Sequence, residues 1–232
     1  MSSLVSRLSK YSSCDISDAL SRLNIQGFLP DVTMRSPNPL SLAPTDRSTW
    51  RIAGPAHTVE FVDAADTISP LSDVNQVDSA TNGSVVVIKT PAGSINAVWG
   101  GLMSARAQRL GVLGTVIEGR CRDIAEQWSF NYPLFTTGTS TLGAGGYLRV
   151  SAVGKAITLA SHTKHPVVIN AGDWIVADID GAVRVPAGRV EDVIKLADEL
   201  AQVDVLCMQD IIAGRSMAET FKDRRKPKSA IR

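Results

Sequence analysis

Gly100 and Gly101 are separated by twenty residues from the adjacent pair Arg122-Asp123, and Glu126 follows three positions after Asp123. Bare glycine backbone lets a ligand approach closely, and free N–H groups at a helix start attract an anion. A guanidinium grips a carboxylate with two parallel hydrogen bonds, while a neighbouring aspartate offers hard oxygen to a magnesium-like cation. If Asp123 opens a short helix, Glu126 lies on the same face and reaches a metal-bound water. The set reads as a carboxylate pocket, a metal ligand and a water-orienting acid. Arg-Asp dipeptides also commonly form surface ion pairs or helix caps, so the elements that place them have to decide.

Between SVVVIKT and VLGTVIEG lies LMSARAQRL, with Met103, Ala107 and Leu110 on one helical face and Gly111 placed as a stop. The pattern predicts a βαβ unit whose strands, apolar throughout, are covered on both faces. In a right-handed unit the loops leaving the two strands lie side by side at the carboxyl edge, so the glycines and the Arg-Asp pair are expected to meet. Residues 1–23 predict one or two helices, with Ser13 or Asp15 capping the second. Prolines 30, 37, 39 and 44 make residues 27–50 a covering loop or an edge. RIAGPAHTVEFVD, PLFTTGT and VVINAGDWIVADIDGAVRVP read as further strands. An amphipathic helix is expected over residues 190–203, then a second helical stretch to about Phe221. Residues 222–232, KDRRKPKSAIR, read as a solvated basic tail. The class is α/β, in one domain over residues 1–232.

The balance of 24 basic against 23 acidic side chains argues against a nucleic-acid binder and favours a small neutral or anionic metabolite. Three scattered cysteines suggest neither a disulfide framework nor a cysteine zinc site, as expected of a reducing compartment, the cytoplasm. No signal peptide or membrane span is expected. Asn82-Gly83-Ser84 reads as a turn. His57, His162 and His165 are too scattered for a metal site, and GAGGY (143–147) lacks the phosphate-loop pattern and reads as a turn. Asp173, Asp178 and Asp180 suit turn and cap roles; Trp99 and Trp128 could wall the site or pack in the core.

The stretch AVWGGLMSARAQRLGVLGTVIEGRCRD, together with CDISDAL from Cys14, RIAGPAHTV from Arg51 and AGDWIVADIDGAVRVP from Ala171, resembles the signature of the RraA-like family. That family includes the 4-hydroxy-4-methyl-2-oxoglutarate aldolases that also decarboxylate oxaloacetate. The resemblance implies a swivelling β/β/α domain with flanking N- and C-terminal helices, in homotrimers or hexamers with interfacial sites. It implies that the backbone of Gly100, Gly101, Leu102 and Met103 binds substrate, that Arg122 binds a carboxylate and that Asp123 ligates Mg2+ or Mn2+. Bacterial aldolases of the family carry an acid where this chain has Gly101. In the fungal and plant branch, which this chain resembles, the acid after Arg-Asp takes that role, so Glu126 is expected to orient the water. The implied reaction cleaves a small 4-hydroxy-2-keto diacid to pyruvate through an enolate, or decarboxylates oxaloacetate. Two rivals stand beside it: the same site working on a larger keto acid in a specialised pathway, and a non-catalytic RraA-type regulator that binds ribonuclease. A methyltransferase role finds no glycine signature for a methyl donor.

Overall fold

A computed structural model describes residues 2–41 and 50–225. Residues 42–49 of the proline-containing segment, and 226–232 of the expected tail, lie outside the described residues. In chain order the elements are α1 (Ser2–Leu8), α2 (Ser13–Arg22), β1 (Phe28–Leu29), β2 (Thr33–Ser36), β3 (Arg51–Asp63), β4 (Val85–Lys89), β5 (Ala97–Trp99), α3 (Gly101–Arg109), β6 (Gly114–Cys121) and α4 (Ile124–Phe130). Then come β7 (Leu134–Thr139), β8 (Leu148–Val153), β9 (Ile157–Leu159), β10 (Val167–Ile169), β11 (Trp174–Asp178), β12 (Gly181–Val185), α5 (Val190–Ile212) and α6 (Met217–Arg224).

The fold is α/β around a large mixed sheet in the order β1-β12-β11-β3-β4-β6-β7-β2, with β5 paired to β6 and β8 to β3. Its centre, β3-β4-β6-β7, is parallel. The expected βαβ unit is there: β4 and β6 are parallel neighbours with α3 between them in sequence. Burial explains the unbroken apolar runs. Val85 and Val87 of β4 pack into one core cluster and Val86 and Ile88 into another on the opposite face. The antiparallel strands β11 and β12 carry a third cluster, where Trp174, Val176 and Val183 meet Ile16 and Leu20 of α2 and Val193 and Ala197 of α5.

Three local expectations are corrected. The second helix is capped by Ser12, not by Ser13 or Asp15; Asp15 instead closes a capping box by accepting from the Ser12 N–H at 2.8 Å. The helix expected over 190–203 continues unbroken to Ile212, because no glycine or proline interrupts it before Gly214, whose φ of +94° ends it. The basic tail begins later than Lys222. Arg224 is still helical and pairs with Asp210 at 2.9 Å, and Arg225 pairs with Asp204 at 2.7 Å. Edge placement of residues 27–41 holds, since β1 and β2 terminate the two ends of the strand order. Gly83 and Gly111 take the positive φ that their turn and helix-stop roles require.

Candidate active site

The two glycines reach the Arg-Asp pair through a strand that the sequence reading did not contain. β5, only three residues long, lies parallel to the end of β6, with Ala97 opposite Arg120 and Trp99 opposite Cys121. Both strands therefore stop at one edge of the sheet, and the Arg122 N–H donates to the Trp99 carbonyl at 2.9 Å. Gly100 is the N-cap of α3. Asp123 precedes α4 with φ +60°, a left-handed conformation uncommon for a residue with a side chain. That turn aims its carboxylate away from its own helix. Oδ2 accepts from the Gly101 N–H at 3.0 Å and lies 3.5 Å from Arg122 Nε. Both side chains stay open to solvent, Arg122 at 48% and Asp123 at 36% exposure.

Bare backbone leaves the room that the charged groups occupy here. A Cβ on Gly100 would stand 2.5 Å from Asp123 Oδ2, and one on Gly143 would stand 2.9 Å from Arg122 Nη1. At Gly101 the conflict is complete, because a Cβ would overlap the Oε2 of Glu126. The Glu126 carboxylate thus occupies the volume in which a side chain at position 101 would begin.

A buried polar chain holds these pieces in register. Trp99 Nε1 donates to Ser104 Oγ at 2.8 Å, and that hydroxyl donates to Gln127 Oε1. The other end of the Gln127 amide donates to the Arg122 carbonyl at 3.4 Å, and the Gln127 N–H donates to the Asp123 carbonyl at 3.0 Å. Ser36 Oγ adds a bond to the Gln127 carbonyl at 3.0 Å. One side chain from α4 therefore ties β5, α3 and the Arg-Asp turn together. Trp99 belongs to this scaffold, buried and stacked on Tyr132 with ring centroids 6.3 Å apart. Trp128 faces elsewhere, donating to the Arg35 carbonyl at 2.8 Å.

Gly100, Gly101, Leu102, Met103, Arg122, Asp123 and Glu126 all line one cavity of about 630 Å³. Sequence reading missed other residues of its lining, among them Phe61, Gln76, Gly143, Ala144 and Gly145. GAGGY is a turn as expected, and its first three residues also line the cavity. The histidines lie elsewhere. His57 faces Ser79 Oγ at 3.3 Å and burial lowers its pKa, His162 lines a smaller cavity, and His165 packs on Phe28. Asp173 is consumed by Arg184 and the N–H groups of Asn170 and Ala187, and Asp178 by the N–H and hydroxyl of Ser13. Among the described residues no group of three or more His, Cys, Asp or Glu side chains is placed to share a metal. The site offers instead the carboxylates of Asp123 and Glu126.

The family described as Aldolase/RraA matches residues 13–184. The chain belongs to the RraA-like family. It is 29% identical over 224 residues to Protein DlpA of Legionella pneumophila, covering 96% of this chain and 34% of that protein. It thus spans about a third of that relative's length. A Halalkalibacterium halodurans protein named "Putative 4-hydroxy-4-methyl-2-oxoglutarate aldolase" is 30% identical over 168 residues, 72% of this chain and 75% of that one. Among solved structures, a Pseudomonas syringae protein superposes with a TM-score of 0.77 at 28% identity, covering 95% of this chain and 97% of that one. Streptomyces coelicolor RraAS2, described as an unusual member of the RNase ES inhibitor RraA family, gives 0.71 at 24% identity, covering 93% and 98%. That likeness is one of fold.

Proposed function

We propose that this RraA-like chain is a divalent-metal-dependent carbon–carbon lyase acting on a 2-keto acid. The observation that carries the reading is the carboxylate of Glu126 filling the space above Gly101, beside Asp123 and Arg122. Two carboxylates at an open cavity suit a hard cation that keeps positions for water and substrate oxygens, so the residues present fit Mg2+ or Mn2+ through Asp123 directly and Glu126 by way of water. When bound, such a cation supplies Lewis-acid polarisation of the keto group.

The protein's own groups do the rest. Arg122 takes the substrate carboxylate in its planar fork, beside the start of α3, where the helix dipole favours an anion. Glu126 orients a water that accepts the C4 hydroxyl proton. The C3–C4 bond then breaks, its electron pair passing into the enolate of the keto acid while C4 leaves as a carbonyl, and protonation at C3 releases pyruvate. Decarboxylation of oxaloacetate follows the same electron path with carbon dioxide leaving, and needs no base.

The name carried by the Halalkalibacterium halodurans relative makes 4-hydroxy-4-methyl-2-oxoglutarate the first substrate to assay, and the decarboxylation proposed above adds oxaloacetate. Pyruvate release should require Mg2+ or Mn2+, stop in EDTA and be lost in Asp123→Ala. Metal-independent turnover, or a fully active Asp123→Ala, would overturn the proposal. Assembly as a homotrimer or hexamer belongs to the same reading and is checked by light scattering. No turnover on any 2-keto acid, together with direct binding to a ribonuclease, would favour a regulatory role instead.

A further inference from the structure

Arg122 can grip a carboxylate with two parallel bonds only while its guanidinium is held in one orientation. Among the described residues its ion-pair partner is Asp123, 3.5 Å from Nε, and one pair at that distance does not fix a fork. The Nη1 end has a different neighbour. A Cβ at Gly143 would stand 2.9 Å from it, so the bare Cα of Gly143 is packed beside the guanidinium. Gly143 is not among the glycines of positive φ, so alanine there would meet the guanidinium and no backbone strain.

What holds Gly143 in that place is a side chain. Residues 140–143 run beside the end of β6 and the start of β5: the Ser140 N–H donates to the Cys121 carbonyl at 2.9 Å, the Ala97 N–H donates to the Leu142 carbonyl at 2.7 Å, and Ala97 and Gly143 form a parallel bridge. The Gly143 carbonyl itself accepts from Asn96 Nδ2 at 2.8 Å. Asn96 directly precedes β5 and is 5% exposed. A buried amide is costly unless it is hydrogen-bonded, which ties this asparagine to that carbonyl. Arg122 is thus held at both ends from β5 and the residue before it: the Trp99 carbonyl takes its N–H, and Asn96 fixes the backbone beside its fork.

We propose that Asn96 is a positioning residue for the substrate carboxylate, acting through Gly143 on the guanidinium of Arg122. It does not line the cavity. The inference rests on the lyase reading and adds to it a residue behind the site. Asn96→Leu keeps similar bulk and removes the donor, so Gly143 is released and the fork loses its orientation. The same fork serves the bound substrate and the transition state, so the loss falls on KM and not on kcat.

The test measures calorimetric binding of oxalate to the Mg2+-loaded protein and steady-state turnover of oxaloacetate, in wild type, Asn96→Leu, Gly143→Ala and the double variant. Thr90→Val is the control, because Thr90 is equally buried, does not line the cavity, and donates its hydroxyl to the Glu118 carbonyl at 2.8 Å. Each single variant at the site should weaken oxalate and raise KM about tenfold, with kcat within about threefold of wild type. The double variant should be no worse than the worse single one, because both act on one contact. Thr90→Val should lower the thermal midpoint and leave oxalate affinity unchanged. If Asn96→Leu does not fold, Asn96→Ser, too short to reach the carbonyl, carries the same comparison. Unchanged oxalate affinity at position 96, a loss confined to kcat, an equal loss in Thr90→Val, or losses that multiply in the double variant would each overturn the inference and leave the lyase reading standing. A wild type that binds no oxalate also overturns it, and one that binds oxalate yet turns over no 2-keto acid overturns the lyase reading alone.

Discussion

At position 101 a Cβ and the Glu126 carboxylate would claim the same volume, and the proposed lyase reading gives that carboxylate a water to orient. Gly101→Ala should therefore act through Glu126. The long side chain swings away at little cost to the fold, but the water it orients is lost. The expected fall in kcat for pyruvate release is about 100-fold, at the low end of general acid–base contributions, with a thermal midpoint within a few degrees of wild type. Glu126→Ala should lose as much. Placing Asp at position 101 in the Glu126→Ala background, which puts an acid where bacterial aldolases of the family carry one, should recover at least tenfold. A Gly101→Ala enzyme as active as wild type would show that the carboxylate's placement is incidental. Arg122, Asp123 and Glu126 could be picked out as candidates in the sequence because their chemistry resides in side-chain identity, and they do line one cavity. Gly143 could not be, since its contribution is the room it leaves for the Arg122 guanidinium, and a glycine in GAGGY serves a turn equally well.

Between elements, position depends on the chain Trp99–Ser104–Gln127–Arg122, which joins β5, α3 and α4 below the cavity floor. None of this could be read from the sequence. Ser104 and Gln127 look like ordinary helix residues, and β5 is too short to announce itself by alternation, being recruited only by its pairing with β6. Removing the hydroxyl in Ser104→Ala leaves the Trp99 N–H and the Gln127 carbonyl buried without that partner, at about 1–3 kcal/mol for each such group. Ser12→Ala, which deletes the N-cap of α2, should cost about 1 kcal/mol. The two variants separate stability from positioning. Both should lower the urea midpoint, but only Ser104→Ala should also lower kcat, because only its network reaches the Arg122 carbonyl. Equal kcat in the two variants would reduce that network to a packing device.

For the molecule as a whole, β3 is the strand on which its parts are joined. Residues 51–55 pair with β11, 56–60 with β4 and 59–63 with β8, so one strand belongs to both the antiparallel wing and the parallel centre. The strand character of RIAGPAHTVEFVD and of AGDWIVADIDGAVRVP was legible from β-branched runs between glycines and prolines. Their mutual docking was not, because it is set by contacts more than a hundred residues apart in sequence. His57 sits where β3 changes partners, half-buried, and burial lowers its pKa from the ordinary 6.5. The unfolded chain therefore binds a proton near pH 6.5 that the native chain refuses, so stability contributed by neutral His57 is full above pH 6.5 and is lost as pH falls toward the lower native value. The urea midpoint at pH 5.5 should lie below that at pH 7.5, and His57→Gln should narrow the gap. The carboxylates with lowered pKa act in a different window: Asp66 is held down to about 2 by Ser69, and Glu191 and Asp210 are held below the ordinary carboxylate range by arginines. They remain charged across pH 7.5 to 5.5, and His162 and His165 are exposed. An undiminished gap in His57→Gln would place the pH sensitivity somewhere other than the strand that joins the two parts of the sheet.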